Sequence, residues 1–176
     1  MTTHHFEIIP GNVDFDVTSA DVKHEGTFSL PQLSGILGVE GGEDKSPQLS
    51  WSNAPEGTKS FAVTVYDPDP STGSGFWHWA VANIPASVTE LPIGAGDAEG
   101  TGLPEGAYQF ANDAGLRHFL GAAPTPGNGP HRYYIVVHAL DVEDIGVPSN
   151  ATPAFLGWNM HGHTLGRAVL LATSER

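Results

Sequence analysis

Four segments have the apolar pattern of β-strands. SFAVTVYD at 60–67, HWAVANI at 78–84 and HRYYIVVHAL at 131–140 are rich in β-branched and aromatic residues. TLGRAVLLATSE at 164–175 predicts a final strand. Because these segments follow one another through turns and not through crossover helices, the pattern predicts a mostly antiparallel β protein.

Shorter apolar runs predict further, weaker elements. Three of them are strand candidates near the start of the chain: FEIIP at 6–10, DFDVTS at 14–19 and TFSL at 27–30. PQLSW at 47–51 begins with proline, which predicts a short edge strand.

Helical patterns are scarce. Thr152 followed by Pro153 predicts an N-cap and a first helical position, and Gly162 predicts that this helix ends near His161. ASVTEL at 86–91 fits one or two helical turns. The patterns therefore predict a mostly antiparallel β protein with one or two small helices, in a single domain over 1–176 whose residues 1–25 form N-terminal strands or an arm.

A long segment without regular pattern separates the middle strands from the later ones. Residues 92–130 are rich in Gly, Pro and Asn. An irregular stretch of this length in a compact domain is uncommon and usually functional, although a loop that covers a sheet edge has the same composition. Both interpretations remain open for this segment.

The net charge and the absence of cysteine exclude some classes of partner and of metal site. The chain has 176 residues, no cysteine and a formal net charge of −13. This charge argues against nucleic acid and anionic membranes as partners, but a local pocket can still take a small anion. Without a membrane-spanning apolar run or a signal-like N-terminus, the expected location is cytoplasmic.

Asp67 is the first candidate for chemistry. It continues the apolar face of Phe61, Val63 and Val65, where a carboxylate needs hydrogen-bond partners. If the chain returns after Asp67, His78 comes back beside it, and one imidazole N–H bonds the carboxylate. The alternatives are a turn-forming Asp before proline and a structural core histidine.

A second pair of candidates begins the strand at 131. His131 and Tyr133 project to the same face and follow a Gly/Pro-rich loop, which can present backbone N–H groups to an anion. The alternative is that both residues lie at a solvated strand edge. Arg132 points the other way and is expected in a structural ion pair. His161 and His163, and His4 and His5, could suggest a metal, but no structural metal is predicted, because these residues need not converge.

In combination, these motifs resemble the phosphatidylethanolamine-binding protein family, and its bacterial Raf-kinase-inhibitor-like branch in particular. The resemblance runs from about residue 26 to the end of the chain. The matching segments are SPQLSW at 46–51, SFAVTVYDPDP at 60–70, GFWHWAVANIP at 75–85, FANDAG at 110–115, GAAPTPGNGPHRYYIVVHALD at 121–141 and LGWNMHGHTLGRAVL at 156–170.

The resemblance implies a mostly β fold, with a large central antiparallel sheet, a smaller sheet packed against it and few short peripheral helices. It also implies an anion pocket. Its principal residues match Asp67, His78, His131 and Tyr133, and further lining positions match Asp69, Gly121, Ala122, Ala123 and Pro124. The family usually reads Asp-Pro-Asp-Ala-Pro, whereas this chain has Pro70 one place early, followed by Ser71. Because Pro70 has no N–H, the turn is expected to differ there.

The expected function is a binding module for phosphate, a phosphomonoester or a phospholipid head group, without a cofactor. No nucleophile stands out, since Ser74 lies in a Gly-Ser-Gly run. The alternatives are a scaffold that regulates a kinase or phosphoprotein, and a weak hydrolase or lyase that uses Asp67 and His78 as an acid/base pair. Bacterial relatives suggest a homodimer.

Overall fold

Ten strands in two sheets form the framework of residues 13–176. The structure is a computed structural model that describes residues 13–176, so the predicted strand at 6–10 lies outside the described residues. The large sheet contains β1 (Val13–Asp14), β3 (Gly26–Thr27), β5 (Ser60–Asp67), β6 (Phe76–Pro85), β8 (Tyr108–Gln109), β9 (His131–Leu140) and β10 (Thr164–Ser174). The small sheet contains β2 (Asp16–Thr18), β4 (Leu49–Ser52) and β7 (Glu90–Leu91).

The large sheet confirms the mostly antiparallel prediction. Its strand order is β1-β10-β9-β5-β6-β8, and β3 pairs with β10. The pairs among β10, β9, β5, β6 and β8 are antiparallel. Both early strands run parallel to β10: Val13 pairs with Gly166, and Gly26 pairs with Ala172. The beginning of the described chain therefore lies along its last strand.

The small sheet packs on one face of the large sheet. Two predictions about its strands were wrong. Its order is β2-β4-β7, so the predicted edge strand near 47–51 is in fact the middle strand. The segment at 86–91 forms a turn and then β7, because Leu91 is buried in the core and pairs with Leu49. The Trp51 ring packs in the core between the sheets, where its centroid lies 5.4 Å from the centroid of the Phe61 ring.

A single α-helix among residues 13–176, α1 (Pro153–Met160), covers part of the opposite face. Its predicted start is confirmed: the Thr152 side chain accepts a hydrogen bond from the backbone N–H of Phe155 at 3.1 Å. Leu156 packs in a second apolar cluster with alanines of the sheet. A 3₁₀ helix spans Leu30–Gln32. No helix in the described chain is long and apolar enough to cross a bilayer.

Candidate functional site

A small cavity lies where β5 ends and where β6 and β9 begin. Its volume is about 90 Å³. The four residues singled out from the sequence, Asp67, His78, His131 and Tyr133, all line it. The remaining lining residues are Leu37, Pro70, Phe76, Ala123, Pro124 and Thr125. The predicted convergence of distant segments at one end of the framework is therefore present.

Asp67 reaches the cavity as the last residue of an otherwise apolar strand face. It is only 3% exposed. Its Oδ1 accepts the backbone N–H of Asp69 at 2.8 Å, and its Oδ2 lies 2.8 Å from Nδ1 of His131. Burial raises the pKa of Asp67, and these two hydrogen bonds act in the opposite direction without cancelling it. The carboxylate is thus buried but partnered.

His78 does not bond Asp67, and that prediction was wrong. Its Nδ1 lies 2.7 Å from the carbonyl oxygen of Leu120, which can only accept, so Nδ1 carries the proton. In the neutral ring, Nε2 is then an acceptor. Burial lowers the pKa of His78 to about 4, so the ring is neutral around pH 7.

A β-bulge explains how His78 enters the cavity. Val65 pairs with Trp79 and Tyr66 pairs with Trp77, so His78 is an extra residue in β6. Such a bulge lets a side chain depart from strict alternation. As a result, His78 lines the cavity although its neighbour Trp79 is buried in the main core.

His131 and Tyr133 share one face of β9, as alternation predicted. Both line the cavity, and Tyr133 is 1% exposed. The Tyr133 ring packs 5.2 Å from the ring of His78 and 5.3 Å from Phe28. Burial, and then the negative charge of Asp67, raises the pKa of Tyr133 well above its usual value. Tyr133 therefore keeps its hydroxyl proton.

Arg132 faces away from the cavity and forms the predicted ion pair. Its Nη2 donates to Oδ1 of Asp69 at 2.8 Å, and its Nε and backbone N–H donate to Oδ2 at 3.0 and 2.8 Å. Burial of Asp69 raises its pKa, but the bonds from Arg132 outweigh this, so the net pKa is lowered. Asp69 does not line the cavity; it fixes the backbone between His131 and Tyr133.

Half of the segment 121–124 borders the cavity. Ala123 and Pro124 line it, whereas Gly121 and Ala122, which the family resemblance also suggested, do not. Ala122 forms a β-bridge with Leu33. A Cβ at Gly121 would lie 2.4 Å from the carbonyl carbon of Leu33, so this close approach of two chain segments requires glycine.

Several lining residues were not found from the sequence. Leu37 lies in a loop far from the recognised motifs, and Thr125 extends the 121–124 segment by one residue. Phe76 could have been found, because it precedes His78 at the start of the same strand. Pro70, the residue that departs from the family pattern, lines the cavity, while Ser71 is exposed and does not.

The remaining histidines of the described chain lie outside this cavity. His138 points to the opposite face of β9, where its Nε2 lies 3.0 Å from the Thr64 hydroxyl and its Nδ1 accepts from Nε of Arg167. His163 pairs with Asp141 at the surface. Among residues 13–176, no group of three histidine, aspartate or glutamate side chains could hold a metal ion. His4 and His5 lie outside that range.

The chemistry of the cavity depends on protons. With neutral imidazoles, Nδ1 of each ring carries the proton, toward Asp67 or Leu120, and each Nε2 is an acceptor. Protonation of a ring converts its Nε2 into a charged donor. Because Asp67 bonds His131, the predicted acid/base pair of Asp67 and His78 is not formed.

Comparisons with known proteins agree with this architecture. Residues 18–175 match the family model described as phosphatidylethanolamine-binding protein. The chain is 48% identical to the UPF0098 protein YbcL of Escherichia coli K12, over 92% of this chain and 87% of that protein. It is 47% identical to the UPF0098 protein YbhB of the same organism, over 74% and 82% of the two chains.

Solved structures give the same result. The crystal structure of E. coli YbcL, described as a new member of the mammalian PEBP family, superposes with a TM-score of 0.89 at 46% identity and covers 93% of this chain and 99% of its own. The PEBP homologue CT736 of Chlamydia trachomatis superposes with a TM-score of 0.77 at 27% identity, over 93% and 98%.

Proposed function

Because the chain belongs to the phosphatidylethanolamine-binding protein family, we propose that its cavity binds a small anionic group, such as phosphate, a phosphomonoester or a phospholipid head group. Membership of the family supports a ligand-binding protein. The observation that carries the finer proposal is the bond between Nδ1 of His131 and Asp67, which holds the ring in one orientation and leaves Nε2 for a ligand.

We expect binding of an anion to be coupled to a proton. The cavity lining contains the carboxylate of Asp67 and no lysine or arginine, and the nearby Arg176 donates its Nε–H to the carbonyl oxygen of Pro124 at 2.7 Å. A neutral imidazole offers an anion only the lone pair of Nε2, whereas an imidazolium offers a charged N–H. An anion therefore stabilises the protonated form of a cavity histidine, and its affinity rises as the pH falls.

The size of the site fits a compact group. A cavity of about 90 Å³ is well below the roughly 300–1,000 Å³ of sites that enclose a whole drug-sized ligand. Two groups at its base can donate hydrogen bonds to oxygens: Nε2 of His131 when that ring is protonated, and the hydroxyl of Tyr133. A tetrahedral oxyanion presents several acceptor oxygens to such donors.

Calorimetric titration with inorganic phosphate and with sulfate tests this proposal. His131→Asn keeps an N–H for Asp67 but removes Nε2, and we expect it to weaken binding at least about tenfold. The matched control is His163→Asn, which changes a histidine with the same 2.8 Å contact to an aspartate outside the cavity. Equal affinities in the two variants would refute the proposal.

Sulfate separates protonation of the protein from protonation of the ligand, because phosphate monoesters themselves titrate at about pH 6. We expect sulfate affinity to rise as the pH falls from about 7.5 to about 5.5, with proton uptake on binding. The His131→Asn variant should lose most of this rise if His131 supplies the charged donor.

A further inference from the structure

The end of β10 brings Arg176 to the face of the sheet that forms the cavity. In the antiparallel pair of β10 and β9, Ala172 lies opposite Tyr133, and Ser174 lies opposite His131. Residues directly opposite each other in such a pair project to the same face, and alternate residues along a strand do so as well. Two positions beyond Ser174, the same alternation carries Arg176 to the cavity side.

Two hydrogen bonds hold Arg176 against the wall of the cavity. Its Nε donates to the carbonyl oxygen of Pro124 at 2.7 Å, and its main-chain oxygen accepts the N–H of Gly127 at 2.9 Å. Pro124 is buried and Thr125 is exposed, and both of them line the cavity. Arg176 is therefore anchored beside the rim, although it is not itself one of the lining residues.

The guanidinium of Arg176 keeps donors for a ligand. The bond from Nε leaves both Nη atoms without a partner among residues 13–176, and Arg176 forms no ion pair within that range. Arg132, in contrast, pairs with Asp69, and Arg167 is buried on the opposite face of the sheet. Arg176 is therefore the arginine beside the cavity whose charge is not already matched by a carboxylate.

The charge of Arg176 reaches the interior of the cavity. Burial raises the pKa of the Tyr133 hydroxyl, the negative charge of Asp67 adds to this rise, and the positive charge of Arg176 opposes it. Water and salt screen charges over about 8–10 Å at physiological ionic strength, so the distant acidic residues of the chain act less strongly here. The mouth thus has a local positive charge in a chain whose formal net charge is −13.

We infer that Arg176 is an anion-binding residue at the mouth of the cavity, where its two Nη groups donate to ligand oxygens that project beyond the buried floor. This inference rests on the proposed function of the cavity. A guanidinium is not deprotonated in proteins, whereas Nε2 of His131 donates only when the ring is protonated. The affinity for an anion therefore has two parts, one from His131 that depends on pH and one from Arg176 that does not.

Titration of Arg176→Gln with sulfate at constant ionic strength tests this inference. We expect sulfate to bind about fivefold more weakly than to the wild type, both at about pH 7.5 and at about pH 5.5, which is near the upper end for a solvent-exposed charge pair. The variant should keep the rise in affinity at low pH that His131→Asn loses.

Lys59→Gln is the control for the change in net charge. Lys59 is exposed and precedes β5, so it lies at the opposite end of that strand from Asp67, roughly 25 Å away. Both substitutions remove one positive charge, but only Arg176→Gln removes it beside the cavity. We expect Lys59→Gln to bind sulfate as the wild type does.

A change in salt separates direct contact with the anion from support of the cavity wall. If Arg176 acts through its charge, the difference between wild type and Arg176→Gln should shrink from about fivefold at about 0.05 M NaCl to below about twofold at about 0.5 M, because salt screens an exposed contact. Loss of the bond to Pro124 alone would weaken binding equally at both concentrations, and that result would overturn the inference.

The remaining outcomes separate this inference from the proposed function. Equal sulfate affinity in Arg176→Gln and the wild type overturns the inference and leaves the anion site intact, and so does an equal loss in Lys59→Gln. Failure of the wild type to bind either sulfate or phosphate overturns the proposed function itself. Thermal melts of each variant confirm that the protein measured is folded.

Discussion

The protein contains two histidine–aspartate pairs of equal length in very different surroundings. His131 and Asp67 lie 2.8 Å apart with side chains 6% and 4% exposed. His163 and Asp141 also lie 2.8 Å apart, but both side chains are 45% exposed. The first pair borders the cavity, whereas the second pair faces solvent. The contact between the two side chains is therefore the same, and the environment differs.

The comparison shows that distance alone does not determine what such a pair does. Water screens the exposed pair, so its contribution to stability is about 0–1 kcal/mol. In the buried pair, each group depends on the other, because a single buried charge without a partner costs several kcal/mol. The buried pair also holds one imidazole nitrogen in place beside the cavity. Burial thus turns a common surface contact into one that fixes the orientation of an imidazole beside the cavity.

The largest expected effect is the loss of stability as the pH is lowered. It tests whether the two buried histidines resist protonation in the folded protein. Burial lowers the pKa of His78 to about 4 and that of His138 to about 3, against 6.5 when unfolded. Below about pH 6.5, the unfolded chain binds more protons than the folded protein does. The free energy of unfolding therefore decreases as the pH is lowered. The two histidines should remove about 4 kcal/mol of the free energy of unfolding between about pH 7.5 and 5.

Asp67 offsets part of this loss. Its pKa is raised in the folded state, so its protonation favours the folded state as the pH falls. Urea denaturation across this pH range measures the net effect. His138→Leu should reduce the pH dependence, because one buried histidine no longer contributes. Equal stability at both ends of the range would contradict the difference between buried and exposed histidines.

The second prediction breaks the buried pair. His131→Ala should lower the free energy of unfolding by about 3 kcal/mol near pH 7.5, because Asp67 is left charged without its partner. The loss should be smaller near pH 5, since burial already raises the pKa of Asp67 and its protonation removes the unpaired charge. Urea denaturation of wild type and variant at each pH gives this difference.

Adding Asp67→Asn to His131→Ala provides the control for this prediction. The double variant has no buried charge at this position, so it should be more stable than His131→Ala near neutral pH. A loss below about 1 kcal/mol in the single variant, or the same loss at both pH values, would show that burial does not set the energetics of the pair.

The smallest effect is expected at the exposed pair. A double-mutant cycle with His163→Ala and Asp141→Ala should give a coupling free energy of about 0.5 kcal/mol or less. About 1 M salt should abolish it, because exposed charges are screened over a few ångströms at that concentration. A coupling free energy as large as that of the buried pair would show that burial does not distinguish the two histidine–aspartate pairs.

Local rules predicted much of the framework and part of the site. Strand alternation placed Asp67 in line with the core and put His131 and Tyr133 on one face. The helix start at Thr152 followed from capping chemistry. These features depend on neighbouring residues, so the local sequence contains the information. The family resemblance added the expectation that the three segments meet.

The predictions that failed depend on distant contacts. His78 sits at a bulge and bonds the carbonyl of Leu120, which belongs to the long irregular segment. Sequence periodicity shows neither the bulge nor the position of that carbonyl. Likewise, the position of β4 in the middle of its sheet depends on β7, whose residues had a helical interpretation. Leu37 lies in a loop held by two bonds, from its own N–H to Ser34 and from the N–H of Ile36 to Asp44, and no sequence motif indicates them.

The parallel pairing of β1 and β3 with β10 has a consequence for synthesis of the chain. Val13 pairs with Gly166 and Gly26 pairs with Ala172, so these partners can meet only after β10 has been synthesised. Contacts between residues so far apart in sequence slow folding. The early strands also occupy the outer edge of β10, where free backbone groups would otherwise recruit a strand from another molecule. Premature termination before β10 would leave the early strands without their partner and would expose the edge of β9 that does not pair with β5, and such a fragment is expected to aggregate.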